Sequence, residues 1–167
     1  MMTLRCTRRL LKWLKIEPSE ETAPATNTLG DWYANLLFTR HHRLVFFINE
    51  RSLLSVLIPV KGMANIEASL ITAVHNLLVH LGFPEGIAVQ ETEKMKPMGI
   101  GFTRSRVVLG SMNDMIFQSR FYLERHGQDL LKVAELLADT PCSPLKEWYP
   151  IKVARDLLSS GSTGLLH

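Results

Sequence analysis

The chain has 167 residues, enough for one ordinary domain with a substantial buried core. With 46% hydrophobic and 21% charged residues and no excess of Gly or Pro, it does not have the composition of a disordered chain. The net charge of +3 invites a nucleic-acid reading, but the basicity is local. Arg5, Arg8, Arg9, Lys12 and Lys15 all precede the first acid; setting those five aside leaves 14 basic residues against 16 acidic ones, a net of −2.

Thr3–Cys6 reads as a short strand. Thr7 stands as an N-cap before Arg8–Lys15, where Leu10, Leu11 and Leu14 recur at helical spacing. Glu17–Thr28, with Pro18 and Pro24, reads as an exposed linker. From Trp32 to Phe38 the period changes to two. Leu44–Ile48 and Leu53–Ile58 follow, separated by short polar breaks, so an antiparallel meander is the economical arrangement. Both faces of Leu44–Ile48 are apolar, which predicts an internal strand covered on both sides.

Asn65 is placed to cap a helix running to about Leu81, with Gly82 at its C′ position. Ile87–Gln90 reads as a strand, and Glu91–Gly101 as a connection of unassigned shape. Arg106–Leu109 reads as a further strand, with a short helical turn as the alternative. Ser111-x-x-Asp114 resembles a capping box and is expected to open a second strong helix that Gly127 stops. Gln128–Ala138 is a third amphipathic helix, and Pro150 suits the first position of a last helix through about Leu158. The pattern predicts a single two-layer α+β domain over residues 1–158, with a mainly antiparallel sheet of about five strands, helices packed on it and a frayed tail at 159–167.

No apolar stretch approaches the ~20 residues needed to span a bilayer, and Lys12 and Lys15 interrupt what would be the apolar part of a leader. Cys6 and Cys142 are far apart and form no CxxC pair. The expectation is therefore a cytoplasmic protein with reduced thiols. Five of the six histidines (His41, His42, His75, His80 and His126) show no H-E-x-x-H spacing, and there is no G-x-S-x-G or phosphate-cradling glycine loop. No metal and no cofactor are expected.

Two segments stand out chemically. Gly110-Ser111-Met112-Asn113-Asp114 would join a strand to a helix N-terminus, where free N–H groups favour an anion, and Arg104 and Arg106 lie just upstream. Asp114 in a first turn would repel that anion, so a well-made cap is the competing reading. Asp31 and Arg51 would complete a polar pocket if the sheet brought them to Asn113 and Asp114; a buried Asp–Arg pair with a purely structural role is the alternative.

Three stretches carry a family resemblance: Leu29-Gly30-Asp31-Trp32-Tyr33-Ala34-Asn35, Ile48-Asn49-Glu50-Arg51 and, above all, Arg104-Ser105-Arg106-Val107-Val108-Leu109-Gly110-Ser111-Met112-Asn113-Asp114. They resemble an uncharacterised bacterial family known only as a domain of unknown function. The resemblance runs from the first helix to the helix after Asn113. It implies a small bacterial cytoplasmic protein and brings no activity or cofactor with it.

Two functions are expected from this reading. The first is a non-enzymatic binding or regulatory module that presents Arg8, Arg9 and Lys12 to a protein or nucleic-acid partner. The second is a small-molecule protein or enzyme holding an anionic ligand among Asp31, Arg51, Arg104, Ser111, Asn113 and Asp114.

Overall fold

The computed structural model describes residues 1–19, 22–145 and 149–165, the last five by their backbone alone. The elements run β1 (Met2–Cys6), α1 (Arg8–Leu14), β2 (Trp32–Phe38), β3 (Arg43–Asn49), β4 (Ser55–Pro59), α2 (Ile66–His80), α3 (Glu85–Lys94), β5 (Met98–Phe102), α4 (Arg106–His126), α5 (Leu130–Ala138) and α6 (Pro150–Leu165). This is an α+β domain built on one five-stranded sheet in the order β4-β3-β2-β1-β5.

The meander is present: β2 pairs antiparallel with β3 from Trp32↔Asn49 to Phe38↔Arg43, and β3 pairs antiparallel with β4. The other half of the sheet is parallel, β1 running alongside both β2 and β5, so the sheet is mixed. Leu44 to Ile48 are all buried, as their unbroken apolar run requires of a strand covered on both faces. α2 and α5 pack on β4, while α1 and α4 pack on β2.

Local signals set several boundaries. Thr7 Oγ1 accepts the Leu10 N–H at 3.3 Å, and Asn65 Oδ1 accepts the Ala68 N–H at 3.0 Å. Gly82, at φ +93, follows the end of α2, and Pro150 opens α6. Helix α6 extends to Leu165; residues 166–167 of the expected tail lie outside the described residues, as do Glu20 and Glu21 of the expected linker.

Two assignments are corrected, and two further segments take a definite form. Ile87–Gln90 is not a strand but part of α3, where Ala88, Glu91, Thr92 and Met95 are buried at three- and four-residue spacing. Periodicity alone does not separate a short apolar run in a strand from one in a helix, and the inward-facing residues here include a carboxylate. Met98–Phe102, which begins within the connection of unassigned shape, is edge strand β5; its two glycines weaken the strand signal. Arg106–Leu109 takes the helical of its two expected forms, as the first turn of α4, and Ser105 is its cap, accepting the Val108 N–H at 3.2 Å. Ser111 therefore opens no helix.

The 17–28 segment has exposed residues but is anchored. Ser19 N–H donates to Ile100 O of β5 at 2.8 Å, Thr26 N–H donates to Met1 O at 2.8 Å, and Asn27 is buried.

Candidate partner-binding surface

Asp31 sits where β1, β2 and the 17–28 segment meet. One carboxylate oxygen accepts the Thr3 N–H at 2.8 Å and the other accepts Arg5 Nε at 3.0 Å. Arg5 also donates to Phe102 O (3.1 Å) and Thr22 Oγ1 (3.2 Å), so one guanidinium links four chain segments. A second hub is Glu91, which accepts Asn27 Nδ2 and the Thr28 N–H at 2.9 Å each, and the Leu29 N–H at 3.3 Å. Burial raises the Glu91 carboxyl above its ordinary value of 4.5, against the lowering effect of those three donors. A third hub, Asn49, donates to Leu29 O and Asp31 O and accepts from Ser52. Together they hold the Asn27–Asp31 loop. Each is bonded to chain partners, as in a buried polar network that specifies structure, although the buried Asn27 Oδ1 has no partner among the described residues.

Of the other residues of the expected ligand site, Arg51 and Arg104 lie near the Asp31–Arg5 pair. Arg51 is beside Glu50, whose N–H donates to Asp31 O, and Arg104 is on the Thr22 hydroxyl that Arg5 also reaches. Ser111, Asn113 and Asp114 belong instead to α4. Arg51 is exposed, donates to Thr28 O at 2.9 Å and lies 3.9 Å from Glu50. Exposed Arg104 donates to Thr22 Oγ1 at 3.0 Å. Ser111 is buried inside α4, while Asn113 and Asp114 are exposed further along that helix. Among the described residues no hydrogen bond or ion pair joins Asp31, Arg51, Arg104 and Asp114 to one another. Asp114 stands eight residues beyond Arg106, about 12 Å along the axis at 1.5 Å per residue and well past the first turn. The helix-N-terminus site at Ser111–Asp114 is thereby overturned. Asp31 does form a buried ion pair, but its partner is Arg5 of β1 and not Arg51.

Helix α1 is different. Leu10 and Leu11 face the core, and the same helical spacing leaves Arg8, Arg9, Lys12 and Trp13 outside. The Arg8 guanidinium lies 4.9 Å over the Phe102 ring; those of Arg9 and Arg43 lie 5.5 and 5.6 Å over Phe38. Trp13 meets Phe38 edge-on at 5.1 Å. Arg8, Lys12 and Lys15 line a cleft of about 420 Å³ whose apolar walls include Ile16, Pro18 and Phe102. None of these cations forms a salt bridge among the described residues. Sequence reasoning found the cations but not the aromatic floor beneath them, because Phe38 and Phe102 are brought to α1 only by the sheet.

A second, larger groove of about 1310 Å³ lies between the β2–β3 turn and the α4–α5 junction, with Arg40, His41, His42, Arg120 and Arg125 along it. His42 there has a packing role: Nε2 lies 3.1 Å from Gly127 O and Nδ1 3.1 Å from Thr39 Oγ1. Among the described residues no three His, Cys, Asp or Glu side chains are grouped so as to hold a metal ion, and no helix is long and apolar enough to cross a membrane. Cys6 and Cys142 are buried free thiols, and burial pushes the Cys6 thiol up to about 12.

Neither a curated protein nor a solved structure matches the chain. One family model does, over residues 3–153, which take in the Asp31 hub, the α1 surface and α4. The chain belongs to that family, described as Domain of unknown function (DUF6933).

Proposed function

We propose that the protein is a non-catalytic, cytoplasmic binding or regulatory module that docks the exposed face of α1 on an anionic surface of a macromolecular partner. One observation carries the reading: Arg8 and Arg9 occupy the first turn of α1, which contains no acid, and form no salt bridge among the described residues, although Glu17 lines the same cleft as Arg8. Cations at a helix N-terminus oppose the macrodipole, a penalty of about 0.3–1 kcal/mol each at an exposed site. A helix selected for folding alone would carry acids there. The aromatic floor supports the same reading, since a guanidinium laid flat on a ring keeps its in-plane donors free for carboxylate or phosphate oxygens. The buried free thiols Cys6 and Cys142 support the cytoplasmic placement.

Immobilised heparin serves as a polyanion probe. Arg8→Glu/Arg9→Glu is compared with Lys152→Glu/Arg155→Glu, an equal charge change at exposed positions of α6. The α1 variant is expected to elute at much lower salt with unchanged circular dichroism, and the α6 variant close to the wild type. Equal shifts in the two variants would reduce the effect to net charge and remove the proposal.

A further inference from the structure

Helix α4 is 21 residues long, and one side of it belongs to the core: Val108, Ser111, Met112, Met115, Ile116, Ser119 and Leu123 are buried. The opposite side carries Val107, Gly110, Asp114, Phe117, Phe121 and Glu124, alternately three and four residues apart. That is the spacing of a heptad seam, the pattern by which one helix meets another along its length. Every seam position is exposed: Val107 at 64%, Phe117 at 63% and Phe121 at 53%, with the two phenylalanine rings edge-on at 5.4 Å. Large apolar side chains aligned on one face of a rigid helix mark an interaction surface rather than scattered surface hydrophobicity.

We infer that α4 pairs antiparallel with α4 of a second copy of this chain, about a two-fold axis passing between Asp114 and Phe117. Such an axis relates the seam to itself, laying Gly110 against Phe121, Asp114 against Phe117 and Val107 against Glu124. The sizes are complementary. The space where a Cβ of Gly110 would stand is open to at least 4 Å, so Phe121 of the other copy seats its ring against bare helix backbone. The charges are complementary too. Arg106, beside Val107, comes next to Glu124 of the other copy, and symmetry repeats that pair at the far end. A parallel pairing would instead set Glu124 on Glu124 and Arg106 on Arg106, and would align the two helix dipoles unfavourably. The second copy in antiparallel orientation is thus the occupant that the seam selects. The inference is independent of the docking face on α1, which contributes no seam residue.

Sedimentation velocity of the full chain across the micromolar range tests it. The wild type is expected to show a concentration-dependent monomer–dimer equilibrium, and Phe121→Asp, at an exposed position, to stay monomeric with an unchanged thermal transition. Arg106→Glu weakens the dimer about tenfold, and Arg106→Glu/Glu124→Arg restores it. Orientation is read by cysteines: oxidised Gly110→Cys/Phe121→Cys forms a covalent dimer, while Gly110→Cys alone does not, the native thiols being buried. A wild type that is monomeric throughout, a dimer indifferent to Phe121→Asp, or cross-linking by Gly110→Cys alone would each overturn the inference.

Discussion

Arg5 Nε lies 3.0 Å from Asp31 Oδ2, and both side chains are more than nine-tenths buried. The pair forms because β1 and β2 run parallel in a register that sets Arg5 opposite Tyr33, two residues past Asp31. A buried ion pair adds little over an apolar replacement, but removing one partner strands the other's charge. Asp31→Asn is therefore expected to lower stability by about 3–5 kcal/mol, a large share of the roughly 5–15 kcal/mol available to a domain. Arg5→Met/Asp31→Asn should be less destabilised than the two single changes combined. Urea unfolding measures both. Strict additivity would show that the pair is not coupled.

The start of α4 gives a sharper test of the corrected boundary. Ser105 accepts the Val108 N–H and its own N–H donates to Tyr33 Oη at 3.1 Å, so it caps the helix and ties it to β2. Ser105→Ala is expected to cost about 1 kcal/mol. Ser111 lies buried inside the helix, where Ala is the better helix former; Ser111→Ala should cost less. The opposite order in denaturant midpoints would put the helix start back at Ser111.

These two sites show what the sequence disclosed and why. Caps at Thr7 and Asn65 were legible because the cap and the N–H it serves are three residues apart. The exposure of Arg8, Arg9 and Lys12 was legible because Leu10 and Leu11 claim the buried face. Gly110 misled: a mid-helix glycine costs about 1 kcal/mol relative to Ala and looks like a break, yet burial of Val108, Met112, Met115 and Ile116 carries the helix through it. Arg5 and Asp31, or Glu91 and Asn27, were not legible as partners at all. Pairs 26 and 64 residues apart are made by strand register and helix docking, and neither is a local property.

Gly30 and Gly62 both have positive φ, at +75 and +84, but their surroundings differ. A Cβ at Gly30 would stand 2.6 Å from Glu50 Oε1 and 2.8 Å from Arg51 Nε, whereas nothing lies within 4 Å of one at Gly62. Gly62→Ala is expected to show backbone strain alone, about 1–2 kcal/mol. Gly30→Ala should cost more, because Glu50 and Arg51 must also move and Arg51 gives up its bond to Thr28 O. Equal losses in chemical denaturation would mean that the Glu50–Arg51 arrangement contributes nothing.

Glu91 makes stability depend on pH in a direction opposite to that of an ordinary salt-bridged carboxylate. Burial raises its folded-state pKa above the ordinary 4.5, and Asn27, Leu29 and Thr28, which favour the ionised form, only partly offset this. A raised acid binds more protons folded than unfolded, so its contribution is greatest below 4.5 and is lost as pH rises through the folded-state value. Glu91→Gln removes the titration but turns one amide N–H toward donors, so the variant starts out less stable. The stability gap between wild type and Glu91→Gln is expected to narrow from about pH 4 to about pH 8. Taking the difference cancels the other carboxylates, including Glu50, whose pKa burial also raises. Urea titrations of both proteins across that range measure the gap, and one that stays constant or widens would show that the Asn27–Leu29 donors outweigh burial at Glu91.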